Sequence, residues 1–158
     1  MNTLQDVKLF HDFFGHPVLE VPTIPSDKRC ELRVSLLVEE VKELKDAIDA
    51  QDIVEIADAL ADIQYVLSGA IHEFGLANLF PQIFAEVQRS NMSKACQTIE
   101  EAEATISEYS SAGTPCHYIT KIDEDTATEF YIVVRNDNAK TLKSINYSPA
   151  DLSFVKEV

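Results

Sequence analysis

The sequence predicts an all-α fold: a four-helix-bundle-like arrangement carrying a small C-terminal β-hairpin. Three observations carry the prediction. Apolar residues recur at helical spacing through most of the first 110 positions. Three prolines (Pro17, Pro22, Pro25) gather in one short connector between such segments. Two adjoining runs of β-branched and aromatic residues stand within residues 116–135. With 158 residues and 46% hydrophobic content, the chain is read as one domain, 1–158, large enough to bury a core.

The first helix is expected over Thr3 to Phe14, with Leu4, Val7, Phe10, Phe13 and Phe14 inward and Gly15 as its stop. Phe13 and Phe14 are expected in the core. His11 and His16 are read as packing residues at the helix end. Residues 16–26 form the extended connector. Ser26 or Asp27 opens a second helix to about Ala50, with Cys30, Val34, Leu37, Val41, Leu44 and Ile48 stepping four, three, four, three, four. A third runs from about Asp52 to Glu73 on Ile56, Leu60, Ile63, Leu67 and Ile71, with Gly75 just beyond. The short polar joint at Gln51 pairs these two as an antiparallel hairpin.

A fourth helix is expected from Asn78 or Pro81 to about Arg89, then a bend, then a weaker fifth helix from Thr98 to Tyr109. CHYITKI and EFYIVVR, split by DEDTAT, form the hairpin. One short helix and a two-helix hairpin leave the second helix apolar on two sides. The bundle is therefore expected to be completed by a second copy, as a homodimer or a dimer of dimers.

Composition excludes several function classes. Thirteen Lys and Arg against 27 Asp and Glu leave a net charge of −14. Such a chain is repelled by nucleic-acid polymers and by anionic membrane surfaces. Three widely spaced cysteines read as reduced thiols, and no basic-then-apolar leader opens the sequence, so a cytoplasmic location is expected. Adjacent Cys116 and His117 lack the geometry of a nucleophile with its base.

The acid is concentrated. Glu39 to Asp62 holds nine acids and two lysines, half the net charge in 24 residues. At about 100° per residue, Leu32, Leu36 and Ala47 lie beside Glu40 and Glu43, on a different side from the main apolar stripe. These two glutamates are therefore expected to point into a groove. Glu55, Asp58 and Asp62 share one narrow face of the next helix. Like charges so gathered need a counter-charge, and a hard divalent cation with oxygen ligands meets that need. Glu40, Glu43, Glu55 and Asp58 are the candidate ligands, for Mg²⁺ or Mn²⁺. No Glu is followed three residues later by His, which disfavours a di-iron bundle, and zinc lacks its usual ligands.

Glu39-Glu40-x-x-Glu43 followed by Glu55-x-x-Asp58 resembles the metal motif of the all-α nucleoside triphosphate pyrophosphohydrolases. These include MazG-like proteins, dimeric dUTPases and phosphoribosyl-ATP pyrophosphohydrolases. FHDFFGHPVLEVPTIPS, DALADIQYVLSGA, EVQRSNMSK and KTLKSINYSPADL extend the resemblance over about residues 4–95 and 139–152. It implies Mg²⁺-dependent cleavage between the α- and β-phosphates of a nucleotide. It assigns the same four carboxylates to metal and makes Glu39, about 40° round the helix from Glu43, the candidate general base or an additional ligand. Asp62, one turn on from Asp58, supports the ligands from behind or caps a lysine of a partner. Phosphate contacts fall to Arg89, Asn91, Lys94, Lys140, Lys143 and Tyr147. Two other readings compete: hydrolysis of phosphoribosyl-ATP, and a non-catalytic acidic module that holds a structural ion or a basic partner.

Overall fold

The computed structural model describes residues 2–156, which form five α-helices, a two-stranded sheet and a terminal 3₁₀ turn. The helices are α1 (Thr3–Phe14), α2 (Asp27–Asp49), α3 (Ile53–Glu73), α4 (Phe80–Met92) and α5 (Ile99–Ser111). The strands are β1 (Cys116–Ile122) and β2 (Glu129–Arg135), and the turn is Ser153–Lys156. This is the expected helical fold with its hairpin. Contacts group the residues into two compact units: residues up to Pro81 with the terminal turn, and Gln82–Leu152.

In the first unit, α1 is capped by Asn2, whose Oδ1 accepts from the Gln5 amide at 3.3 Å. Gly15 ends it in the left-handed conformation, φ 72°. Asp52 caps α3 by accepting from the amides of Val54 and Glu55. Only Ala50, Gln51 and Asp52 separate α2 from α3, so the two helices return on each other as a hairpin.

The far end of that hairpin is closed by charge. Glu73, the last residue of α3, is 1% exposed and pairs with both Arg29 and Arg33 in the first turns of α2. Arg29 Nε donates to Glu73 Oε2 at 3.0 Å. Burial pushes the Glu73 carboxyl up, but hydrogen bonds from Arg33 and Arg29 outweigh it and hold the group below the ordinary glutamate value.

α1 and the proline connector pack on the same end of α3. Val7 and His11 are buried against it. His11 Nδ1 meets the Pro17 carbonyl at 2.9 Å, and His72 Nε2 meets the Leu4 carbonyl at 2.7 Å. Gly69 makes room: a Cβ there would lie 2.9 Å from both Arg33 Nη1 and His11 Nε2. The connector amides of Leu19 and Thr23 donate to the carbonyls of His72 and Phe74 at the helix end. Gly75, at φ +66°, passes so close to the connector that a Cβ would sit 1.9 Å from the Val21 carbonyl oxygen.

Two packing expectations are corrected. The fully buried residues of α2 are Arg33 and Ala47. Val34, Val41 and Ile48 of the expected stripe are more than half exposed. The pull of Glu73 on Arg29 and Arg33 turns the helix, so the stripe is only partly used within the chain. Phe13 is also 84% exposed and Phe14 60% exposed, because α1 packs on α3 through Val7 and His11. Phe14 contacts Phe10, whose ring in turn meets Tyr65 edge-on at 5.6 Å.

In the second unit, α5 lies on the hairpin. Their core is Cys96, Ala102, Tyr131, Val133 and Leu142, flanked by Ile106, Tyr109, Cys116 and Tyr118. The strands pair antiparallel from Cys116 opposite Arg135 to Ile122 opposite Glu129. Single bridges join Cys96 to Tyr131 and Val134 to Thr141. The hairpin is therefore part of a core rather than an appendage. All three cysteines are free. No helix among the described residues is long and apolar enough to cross a membrane.

The ion pairs around Glu73 yield a prediction. Glu73→Gln leaves two buried or half-buried guanidinium groups short of an anion, and should cost about 3 kcal/mol or more, read as a lower urea midpoint. Because its folded pKa is depressed, the Glu73 contribution is complete above the unfolded glutamate pKa and is lost as pH falls through the folded one. An unfolding curve within experimental error of wild type at neutral pH would show that the pairs contribute nothing.

Candidate active site

The hairpin carries the acidic window. With α2 and α3 closed at one end by the joint and at the other by Glu73, their middles lie level. Glu40, half-buried, there faces Asp62 and Asp58 on α3 and has Glu39 and Glu43 beside it on α2. Burial first, then the negative charge of Asp62, Glu43, Glu39 and Asp58, raises the Glu40 carboxyl above the ordinary glutamate value. A cleft of about 450 Å³ at the joint end is lined by Glu43, Asp46, Asp52, Glu55 and Asp58, with alanines between them.

The structure thus brings together all six predicted acids, as two overlapping groups on one hairpin. It adds Asp46 and Asp52, but both are committed. Lys42 donates to Asp46 at 2.9 Å, and Asp52 caps α3. The other lysine of the acidic window, Lys45, pairs with Asp49. Both lysines of the window are therefore spent on acids one turn further along. Among the described residues, Glu39, Glu40, Glu43, Glu55, Asp58 and Asp62 form no salt bridge.

Such a donor set fits a hard cation: it is oxygen-only, negative and uncompensated. Among the described residues, no three His, Cys, Asp or Glu side chains already stand at the spacing of a closed metal site. Glu43, Glu55 and Asp58 are solvent-exposed, so their rotamers are free to converge.

The predicted phosphate contacts all belong to the second unit. Arg89 is held by Glu86 through Nε and Nη2, each at 2.8 Å, and also donates to Ser148 Oγ and the Pro149 carbonyl. Arg89 first, and the Asp151 amide next, pull the Glu86 carboxyl down to about 2. Lys94 donates to Asn91 Oδ1 at 2.7 Å. The Lys143 ammonium lies 4.3 Å above the Tyr147 ring, whose hydroxyl meets Ser90 Oγ at 3.0 Å. Lys140 is exposed. Cys116 and His117 alternate along β1, and His117 meets Asn136 at 2.7 Å.

Sequence reading missed Glu73, Arg29 and Arg33, the residues that set the hairpin's rotation. The available signal was Glu73 itself, the one acid within the mostly apolar stretch GAIHEFGL.

The crowding of Glu40 is measurable. In a carbon-detected NMR titration without divalent ions, Glu40 should take up its proton at higher pH than an isolated glutamate. Asp62→Asn should bring that midpoint down. A Glu40 midpoint unmoved by Asp62→Asn would mean that the two carboxyls do not face each other.

Residues 7–91 match the sequence profile described as phosphoribosyl-ATP pyrophosphohydrolase. That span includes α1 from Val7 on, α2 and α3 whole, nearly all of α4 and every one of the six acids. The chain is also similar to "Uncharacterized protein L479" of Acanthamoeba polyphaga mimivirus. The two are 38% identical over 76 residues, 46% of this chain and 30% of that protein. The chain thus spans less than a third of the curated relative's length. A profile match over more than half of the sequence, with the acidic hairpin inside it, makes this chain a member of the phosphoribosyl-ATP pyrophosphohydrolase family, within the MazG-like all-α nucleoside triphosphate pyrophosphohydrolases.

Proposed function

We propose that the protein is a cytoplasmic, Mg²⁺-dependent nucleotide pyrophosphohydrolase. It cleaves between the α- and β-phosphates of a (deoxy)nucleoside triphosphate to release the monophosphate and pyrophosphate. The observation that carries this reading is the set of unneutralised carboxylates around Glu40 and in the adjoining cleft, inside the family match. Glu40, Glu43, Glu55 and Asp58 would hold the cation, and Asp62, one turn on from Asp58, would stand behind these ligands or cap a lysine of a partner. When bound, Mg²⁺ (or Mn²⁺) supplies charge neutralisation and Lewis-acid polarisation at the phosphate oxygens. Glu39 orients the attacking water and accepts its proton. Arg89, Asn91, Lys94, Lys140, Lys143 and Tyr147 contact the phosphates.

Phosphoribosyl-ATP is the second substrate reading, favoured by the description of the matched family. Pyrophosphate release from a panel of NTPs, dNTPs and phosphoribosyl-ATP, with and without Mg²⁺, decides between them. One group of substrates should turn over only with the metal present. Glu39→Gln should lower kcat about 100-fold, and Glu40→Gln should also weaken Mg²⁺ binding. Hydrolysis that survives EDTA, or inertness toward the whole panel, would remove the proposal.

We also propose that the chain works as a homodimer or a dimer of dimers. The exposed Val34, Val38, Val41 and Ile48, which share one face of α2, support this. Sedimentation should give at least a dimer at micromolar concentration, and Val38→Glu/Val41→Glu should shift it toward monomer. A wild-type monomer would overturn this part alone.

A further inference from the structure

We propose that the second unit carries a pocket for the planar base of a nucleotide, with Phe130 as its aromatic face and the Gln97 and Asn146 amides as its reading groups. The choice of a nucleotide among planar heterocycles rests on the function proposed above.

The pocket is a cleft of about 470 Å³ within Gln82–Leu152, away from the acidic hairpin in sequence and largely beyond the family match. Its volume falls in the range of small-molecule sites. Arg89, Met92, Gln97, Glu101, Phe130 and Asn146 line it.

Phe130 is the first indication. Side chains alternate along a strand, and Tyr131 and Val133 face the core against α5. Phe130 therefore lies on the opposite side of β2, half-buried, where it lines the cleft. The bridge between Cys96 and Tyr131 sets Gln97 opposite Phe130, since each is one residue further along an antiparallel pair.

Hydrogen bonding supplies the second. The charged groups of the cleft are already engaged. Glu101 accepts from Ser144 Oγ with one oxygen and from the Gln97 backbone amide with the other, at 2.9 Å. Arg89 uses four of its five N–H groups on Glu86, Ser148 and Pro149. By contrast, the side-chain amides of Gln97 and Asn146 make no hydrogen bond among the described residues; their backbone amides alone are bonded. Two open amides beside an aromatic ring offer a donor and an acceptor edge with a stacking surface. That combination recognises a base. A triphosphate alone would meet little unpaired positive charge here. The remaining Nη1–H of Arg89 suits one phosphate or one carbonyl of the ligand.

The test uses the full chain in EDTA, which removes any contribution of divalent ions. AMP, GMP, CMP, UMP and ribose 5-phosphate are each titrated and followed by NMR shifts. At least one nucleotide should bind saturably, with ribose 5-phosphate much weaker. Phe130→Ala and the double variant Gln97→Ala/Asn146→Ala should each weaken that binding about tenfold. The double variant changes two exposed amides, so it carries the test if Phe130→Ala unfolds the unit. No saturable binding of any nucleotide, equal binding of ribose 5-phosphate, or wild-type affinity in the double variant would each overturn the proposal. With Mg²⁺ restored, the source of the base is distinguishable. A raised KM at unchanged kcat in the double variant identifies the substrate's own base. Altered turnover of other triphosphates on adding the favoured monophosphate identifies an effector. Base binding in EDTA by a chain that hydrolyses nothing would leave this pocket standing and remove the hydrolase reading.

Discussion

The first unit depends on one buried carboxylate. Glu73 closes the α2–α3 hairpin by drawing Arg29 and Arg33 onto the end of α3. An acid so deeply buried is costly unless paired and hydrogen-bonded, so the two guanidinium groups must come to it. Their approach sets the rotation of α2 about its axis. Glu40, seven residues and about two turns beyond Arg33, then faces α3. The same end is locked again by Gly69, which admits Arg33 and His11, and by connector amides on the last carbonyls of α3. The pair is weak evidence for net stability, but it specifies the register of the hairpin.

That rotation has two outcomes on opposite sides of α2. Toward α3 it assembles like charges around Glu40, from Asp62 and Asp58 on α3 and from Glu43 and Glu39 on α2. Toward solvent it leaves Val34, Val41 and Ile48 exposed. Lys42 and Lys45 do nothing to relieve the first, because each reaches one turn forward to Asp46 or Asp49. Negative charge is therefore retained around Glu40 and cancelled at Asp46 and Asp49.

Much was legible in the sequence. The bounds of α1 and both strands could be read because Gly15 and the DEDTAT tract interrupt clear periodic patterns. That Glu40, Glu43, Glu55 and Asp58 gather on one helical hairpin could be read because i, i+3 spacing on two short-linked helices constrains which faces meet. The hairpin's part in a core was not legible. Its burial depends on Cys96, Ala102 and Leu142, residues well separated along the chain. Phe13 and Phe14 were misplaced because apolarity does not say which of several apolar positions a neighbour will cover.

The sequence by itself determined the helical class, the element order, the acidic window and its division between two helices. All of these follow from short-range periodicity and turn chemistry, which act within a few residues. Only the tertiary structure decided which side of α2 meets α3, which acids keep a free charge, and that Phe130 and Gln97 line one cleft. Those outcomes turn on contacts such as Arg33 with Glu73, 40 positions apart, and the bridge of Cys96 to Tyr131. A local pattern fixes what a helix can bury; the partner that arrives fixes what it does bury.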